Sequence, residues 1–218
     1  MNFGPEGSLT NTGRRDGYYV NAASFQGFEP DGTSGVSVAP AGDVDGDGMD
    51  DILIGAPGVK QAYVLFGSSG YAAFRRQLTM GNLNGFDGFK MYGEHAGDCA
   101  GYDVAAAGDF NNDGVDDLVV SAMLSNAGEV DGGNTYVIFG SQFDAKLDMI
   151  PKKKPDGTYG AAIIADCDIE VVSSAGDFND DGFEDMALAC PSNADGSGTV
   201  FIVFGGDAIK ASTELSDL

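Results

Sequence analysis

The chain has no tryptophan, one histidine (His95), three cysteines and only 11 lysines and arginines against 34 acids. Each shortage excludes something. A formal charge of -23 argues against nucleic acid and anionic membrane as partners, because both are polyanions. An odd number of cysteines gives no disulfide framework. Cys99 and Cys167 each lie ten residues before an acidic loop, so they occupy equivalent places in two repeats. With Cys190 they are expected to be free, small apolar residues, and their spacing fits no zinc site. No apolar run approaches the roughly 18 residues of a membrane span. Residues 1–6 have neither a basic nor an apolar signal region, and no Asn-x-Ser/Thr sequon occurs. Nucleophile elbows, phosphate loops and dinucleotide fingerprints are also missing. No long amphipathic helical period is visible.

Hydrophobic residues make up 43%, so the chain is not composed like a disordered one. Its 34 glycines punctuate short apolar runs, the pattern of a β-rich protein with frequent turns. The most informative run is Gly42-Asp43-Val44-Asp45-Gly46-Asp47-Gly48-Met49-Asp50-Asp51, followed by Ile52-Leu53-Ile54. Asp43, Asp45, Asp47 and Asp51 stand at relative positions 1, 3, 5 and 9. Gly48 stands at position 6, where a loop around an ion turns sharply. Alternating carboxylates on a tight loop aim oxygens at one centre, which suits a hard cation, Ca2+ above all.

The pattern occurs three times, with first aspartates at Asp43, Asp109 and Asp177. Fourteen of the 34 acids fall in these loops. Ala-Gly precedes each loop and a valine lies five residues before it: Val38, Val104 and Val172. An apolar run follows each loop, and a later run ends in Phe66-Gly67, Phe139-Gly140 or Phe204-Gly205. The repeats are set at about residues 4–67, 68–140 and 141–205, with 206–218 as a tail or the lead-in to another repeat. Strands are expected near 36–41, 52–56 and 62–66, with counterparts at 102–107, 118–122, 135–139, 170–175, 186–190 and 199–204. A fourth strand is expected within 85–92 and 159–164, and residues 24–28 look like an earlier copy of it. Four short antiparallel strands per unit describe a propeller blade, so the fold class is all-β.

These residues resemble the FG-GAP repeat of integrin α-chain β-propellers and their bacterial relatives. The likeness rests on Gly-Asp-Val-Asp-Gly-Asp-Gly-x-Asp-Asp-Ile-Leu-Ile-Gly-Ala-Pro and the later Tyr-Val-Leu-Phe-Gly. It covers almost all of residues 20–206. Only Gly55-Ala56-Pro57 keeps the Gly-Ala-Pro whole; Ser121-Ala122-Met123 and Ala189-Cys190-Pro191 depart from it. The resemblance implies three Ca2+ sites. Their side-chain ligands would be Asp43, Asp45, Asp47 and Asp51; Asp109, Asn111, Asp113 and Asp117; and Asp177, Asn179, Asp181 and Asp185. Met49, Val115 and Phe183 would each add a backbone carbonyl. The first loop has one more carboxylate than the others and is expected to bind more tightly.

An EF-hand would need a glutamate at position 12 and flanking helices. Ile54, Val120 and Leu188 stand there, each in a strand-like run. An acidic turn without metal explains one loop more easily than three aligned ones. A His95/Cys99 catalytic pair is weaker than a solvated loop, and so is a special role for the basic run Lys152-Lys153-Lys154. Paired acids such as Asp50-Asp51 are accounted for by their fixed place in each loop.

Three blades are too few for a ring, so either a longer chain or head-to-tail homo-oligomers would complete one. The expected function is a non-enzymatic adhesion or protein-interaction module, extracellular or on the cell surface, with a protein or glycan ligand. The alternatives are a structural subunit of a surface assembly and the propeller of a secreted polysaccharide-degrading enzyme.

Overall fold

The computed structural model describes residues 24–27, 29–69, 79–93, 97–123, 134–140, 159–191, 196–207 and 212–215. Three antiparallel sheets follow one another along the chain, and no α-helix occurs among the described residues. The first sheet is β1 (Val38–Gly42), β2 (Asp51–Ala56), β3 (Gln61–Leu65) and β4 (Gly88–Tyr92), in that spatial order. The second is β5 (Ala100–Gly108), β6 (Asp117–Ala122), β7 (Asn134–Ile138) and β8 (Gly160–Ile164). The third has β9 (Val171–Gly176), β10 (Asp185–Cys190) and β11 (Thr199–Val203). Short meandering sheets stacked in chain order are propeller blades.

Residues 212–214 form β12 (Ser212–Glu214), which pairs parallel to β8 on the outer edge of the second blade. One expectation needs correction. Residues 24–27 form no regular strand with a neighbour; Gln26 makes a single bridge to Thr79. A fourth Phe-Gly pair of the sequence, Phe3-Gly4, lies outside the described residues, as do His95 and Lys152-Lys153-Lys154.

The second strand of each blade starts one residue earlier than its apolar run. Gly42 pairs with Asp51, Gly108 with Asp117 and Gly176 with Asp185, so the last acid of each loop is already in the ladder. A register shift sits at that point in all three blades. The extra residue bends the strand where the hairpin opens into eight unpaired residues.

Side chains alternate between the two faces of a strand, and the inner sheet is covered on both, so β6 and β7 are buried at every position. One face of a blade packs on the preceding blade and the other on the following one. Ala41, Val44, Leu53, Val64 and Met91 of the first blade share a core with Val104, Leu118, Val120 and Tyr136 of the second. Ala107, Phe110, Val119 and Val137 share the next core with Val172, Met186 and Leu188. The periodic valines Val104 and Val172 are thus blade-to-blade packing residues. Asp103 links three blades on their innermost strands. It accepts from Ser37 Oγ at 2.7 Å and from the Val172 N–H at 2.9 Å.

The expectation of three free cysteines is also corrected. Cys167 and Cys190 form a disulfide, and Cys99 is free. Parity says nothing about which thiols meet. Cys190 ends β10 beside the turn that carries Cys167, whereas Ala122 holds the matching place near Cys99. The bridge closes a loop of 23 residues. Replacing both cysteines by alanine is expected to cost about 3 kcal/mol in a urea melt, mostly by freeing the unfolded chain. An unchanged midpoint would contradict that.

Candidate metal centres

All fifteen residues expected at metal sites lie on the three equivalent hairpin loops, β1–β2, β5–β6 and β9–β10. Each loop is wound by its own carboxylates. In the first, Asp43 Oδ1 accepts from the Asp47 N–H at 2.9 Å and Oδ2 from the Gly48 N–H at 2.8 Å. Asp45 Oδ1 accepts from Asp47 N–H at 3.2 Å, and Asp47 Oδ1 from Met49 N–H at 2.9 Å. Asp109, Asn111 and Asp113 do the same for Asp113, Gly114 and Val115. Asp177, Asn179 and Asp181 repeat it for Asp181, Gly182 and Phe183. Such side-chain-to-backbone turns explain why Asp and Asn alternate here. Gly48, Gly114 and Gly182 at position 6 have φ of 88°, 90° and 91°. That is the left-handed region expected of the sharp turn.

Position 9 behaves differently. Asp51, Asp117 and Asp185 are buried at the base of the loop. One oxygen of each accepts from the N–H of position 2: Val44 at 3.0 Å, Phe110 at 3.0 Å and Phe178 at 2.9 Å. The other accepts from the glycine of the Phe-Gly pair: Gly67 at 2.7 Å, Gly140 at 2.8 Å and Gly205 at 3.0 Å. The sequence showed Phe-Gly only as a marker, without this role. Its glycine lies so close to the loop that a Cβ would overlap the carbonyl of Asp50, Asp116 or Glu184.

Asp43, Asp45 and Asp51 bring carboxylate oxygens within 4.8 Å of one another. Asp47 is outside that group and exposed. In the other loops Asn111 and Asn179 replace the middle carboxylate by an amide oxygen, whose Nδ2 donates to Asp113 or Asp181. The donors are hard oxygens, and a carboxylate with about four lone-pair sites keeps some spare beside the two or three N–H groups accepted at Asp43, Asp51 and Asp117. The set therefore fits a hard divalent cation better than a soft one.

Without a cation, Asp45, Asp51 and Asp117 hold their protons more tightly than a free carboxyl does. Burial is the main cause at Asp45, whose pKa is raised, with the charges of Asp47 and Asp43 adding to it. Burial pushes Asp51 up to about 6 against the opposing N–H bonds of Gly67 and Val44. It pushes Asp117 up to about 8, with Asp113 and Asp109 adding their charge. A raised folded pKa stabilises fully below the unfolded value of 3.8 and is lost as pH climbs through the folded one. Metal-stripped protein is therefore expected to melt at lower temperature near pH 8 than near pH 5. Millimolar Ca2+ is expected to flatten or reverse that slope, because the ion displaces the proton. Stripped protein that is more stable at the higher pH would contradict the assignment.

The acids at position 8 do something the sequence did not reveal. Asp116 Oδ2 accepts from the Asp43 N–H of the preceding blade at 2.8 Å. Glu184 lies against Gly108, the same place one blade on. The position-8 acid is thus a latch between blades rather than part of its own loop.

The chain matches the model of the FG-GAP repeat over residues 34–72 and 100–138. It is 34% identical over 121 residues to integrin alpha-PS5 of Drosophila melanogaster, covering 54% of this chain and 11% of that one. It is 31% identical over 182 residues to integrin alpha-5 of Xenopus laevis, covering 78% and 15%. Integrin alpha-8 of Gallus gallus is 30% identical over 185 residues, covering 80% and 15%. The match thus spans only a small part, 11–15%, of the length of these curated relatives.

Proposed function

This chain belongs to the FG-GAP, integrin-α-like family, and on that premise we propose that it is a non-enzymatic module for extracellular adhesion or protein–protein interaction, its blades stapled by Ca2+. The observation that carries the metal part is the convergence of the Asp43, Asp45 and Asp51 oxygens in a loop whose hydrogen bonds recur in two further blades. The ion is held by positions 1, 3, 5 and 9 and by the carbonyls of Met49, Val115 and Phe183. It ties a loop that is otherwise crowded with charge to the strand that begins at position 9. Stapling of this kind leaves the blade's loops and faces free to recognise a partner.

The Cys167–Cys190 bridge supports an oxidising compartment, since such bonds are rare where glutathione keeps thiols reduced. Extracellular Ca2+ is millimolar, the range in which surface modules of this kind work. No helix among the described residues is long and apolar enough to cross a membrane.

The test is capture. The chain, fixed to beads, is offered a panel of matrix proteins and glycans in millimolar Ca2+. The expected result is retention of at least one component and its release by chelator, with the component intact. Cleavage of a glycan or polypeptide would contradict the non-enzymatic reading. Capture indifferent to chelator would contradict the metal-dependent one.

A further inference from the structure

The metal loops of neighbouring blades touch. At the first junction, residue 116 of the second loop bonds residue 43 of the first twice. Asp116 Oδ2 accepts from the Asp43 N–H at 2.8 Å, and the Asp116 N–H donates to the Asp43 carbonyl at 3.3 Å. A Cβ on Gly42 would overlap the Asp116 carboxylate, so that glycine leaves the room which the acid fills. The Phe-Gly turn of the second blade is wedged into the same place. The Gly140 N–H donates to Asp117 Oδ1 at 2.8 Å. A Cβ on Gly140 would lie 3.1 Å from the Val44 carbonyl oxygen of the first loop. The second junction is linked at the same level through other atoms. Glu184 lies against Gly108, and the Gly206 N–H donates to the Phe110 carbonyl at 3.0 Å.

The two residues bonded at the first junction hold key places in their loops. Asp116 stands between Val115 and Asp117, positions 7 and 9, both proposed ligands of the second loop. Asp43 is position 1 of the first loop, and its carboxylate also accepts the Asp47 and Gly48 N–H groups. The contact therefore joins a ligand of one site to the link between two ligands of the other. An ion in the second loop holds Val115 and Asp117 and so fixes Asp116. That in turn fixes the main chain of Asp43, which the first loop otherwise has to order when it binds its own ion.

Charge acts in the opposite direction, because a filled loop attracts a further cation less than an empty one does. Asp47 and Asp113 are exposed, so water and dissolved ions, with a screening length of about 8 Å, weaken that effect. The bonds between residues 43 and 116 are direct and escape such screening.

We propose, on the premise that the loops hold Ca2+, that Asp116 is a positioning residue for the ion of the first loop and that the first and second loops bind Ca2+ as a coupled pair. An ion in either loop raises the affinity of the other by about fivefold, the same factor in both directions.

The experiment is a Ca2+ titration of the stripped full chain, read by native mass spectrometry and calorimetry, with Asp177→Ala in every sample to silence the third loop. Adding Asp109→Ala leaves the first loop alone, and adding Asp43→Ala leaves the second. Both atoms that Asp43 gives to the contact belong to its main chain, so Asp43→Ala spares it. Independent loops would take up both ions with the product of these two constants. The measured constant for both ions is expected to exceed that product about fivefold. Asp116→Ala is expected to bring the ratio to unity. Asp116→Asn keeps an oxygen acceptor for the Asp43 N–H and is expected to retain the excess. Asp50→Ala removes the same charge from the same position of the first loop, at an exposed site, and is expected to leave the ratio unchanged. Should Asp116→Ala misfold, Asp116→Leu, similar in size and without an acceptor, replaces it with the same expectation. A ratio at or below unity in the parent chain overturns the coupling and leaves the Ca2+ sites standing. So does a ratio that Asp116→Ala leaves unchanged, or that Asp50→Ala or Asp116→Asn abolishes equally. A chain that takes up no Ca2+ overturns the Ca2+ sites, and the coupling with them.

Discussion

Stripping Ca2+ is expected to lower the melting temperature by roughly 15–30 °C, the largest effect of any change of conditions on this chain. An ion present at a hundred times its dissociation constant adds about 2.7 kcal/mol to the folded state. Three independent loops would together add about 8 kcal/mol, and a chain of this size shifts by about 2–4 °C per kcal/mol. The effect is large because the apo loops are strained electrostatically. Asp45, Asp51 and Asp117 all have raised pKa values, with burial as the leading cause. Mg2+ is expected to restore less of the loss, because it demands a smaller, more regular oxygen cage. Calorimetric scans in chelator, in Ca2+ and in Mg2+ check this. Coincident melts in chelator and Ca2+ would contradict it.

Asp117→Ala is expected to cost about 4–5 kcal/mol even in chelator, the largest effect of a single substitution in the loops. Asp117 is fully buried and accepts the N–H groups of Phe110, Asn111 and Gly140. Its removal leaves those donors without an acceptor, at about 1–3 kcal/mol for each that finds no water. It also unties the Phe-Gly turn from the loop. Asp47→Ala makes the comparison sharp, since Asp47 is exposed and accepts one local bond, from Met49. That variant is expected to lose under about 1 kcal/mol in chelator and to show its effect as weaker Ca2+ affinity. Urea melts in chelator separate the two. Equal losses would mean that position 9 has no special part in the fold.

The loops were legible because their geometry is local. An Asp or Asn two residues from the next winds a turn whatever surrounds it, and Gly48, Gly114 and Gly182 turn as their type requires. The first eleven strands were legible to within about three residues at each end, since short apolar runs bounded by Gly, Asp and Asn mark buried strands. What depends on neighbouring blades was not legible. Asp116 and Glu184 looked like spare acids of their own loops, but they latch onto Asp43 and Gly108 of the blade before. The Phe-Gly glycine gave a landmark and concealed its bond to the position-9 carboxylate some twenty residues away. Cys167 and Cys190 meet because a turn and a strand end adjoin, which no count of cysteines contains. Residues 212–214 fold back on β8, a long-range pairing with no periodic signature. The exposed Phe178 cannot be told from the buried Phe110 by sequence, since only the next blade makes the difference.

The central claim is that each of the three loops holds a Ca2+ ion that staples its blade. Native mass spectrometry of the stripped chain titrated with Ca2+ tests it most directly. The account predicts stepwise gain of three calcium ions per chain. It predicts the loss of one of them when Asp43, Asp109 or Asp177 is replaced by alanine. A chain that takes up no calcium at millimolar concentration, or whose uptake is unchanged by those substitutions, would contradict it.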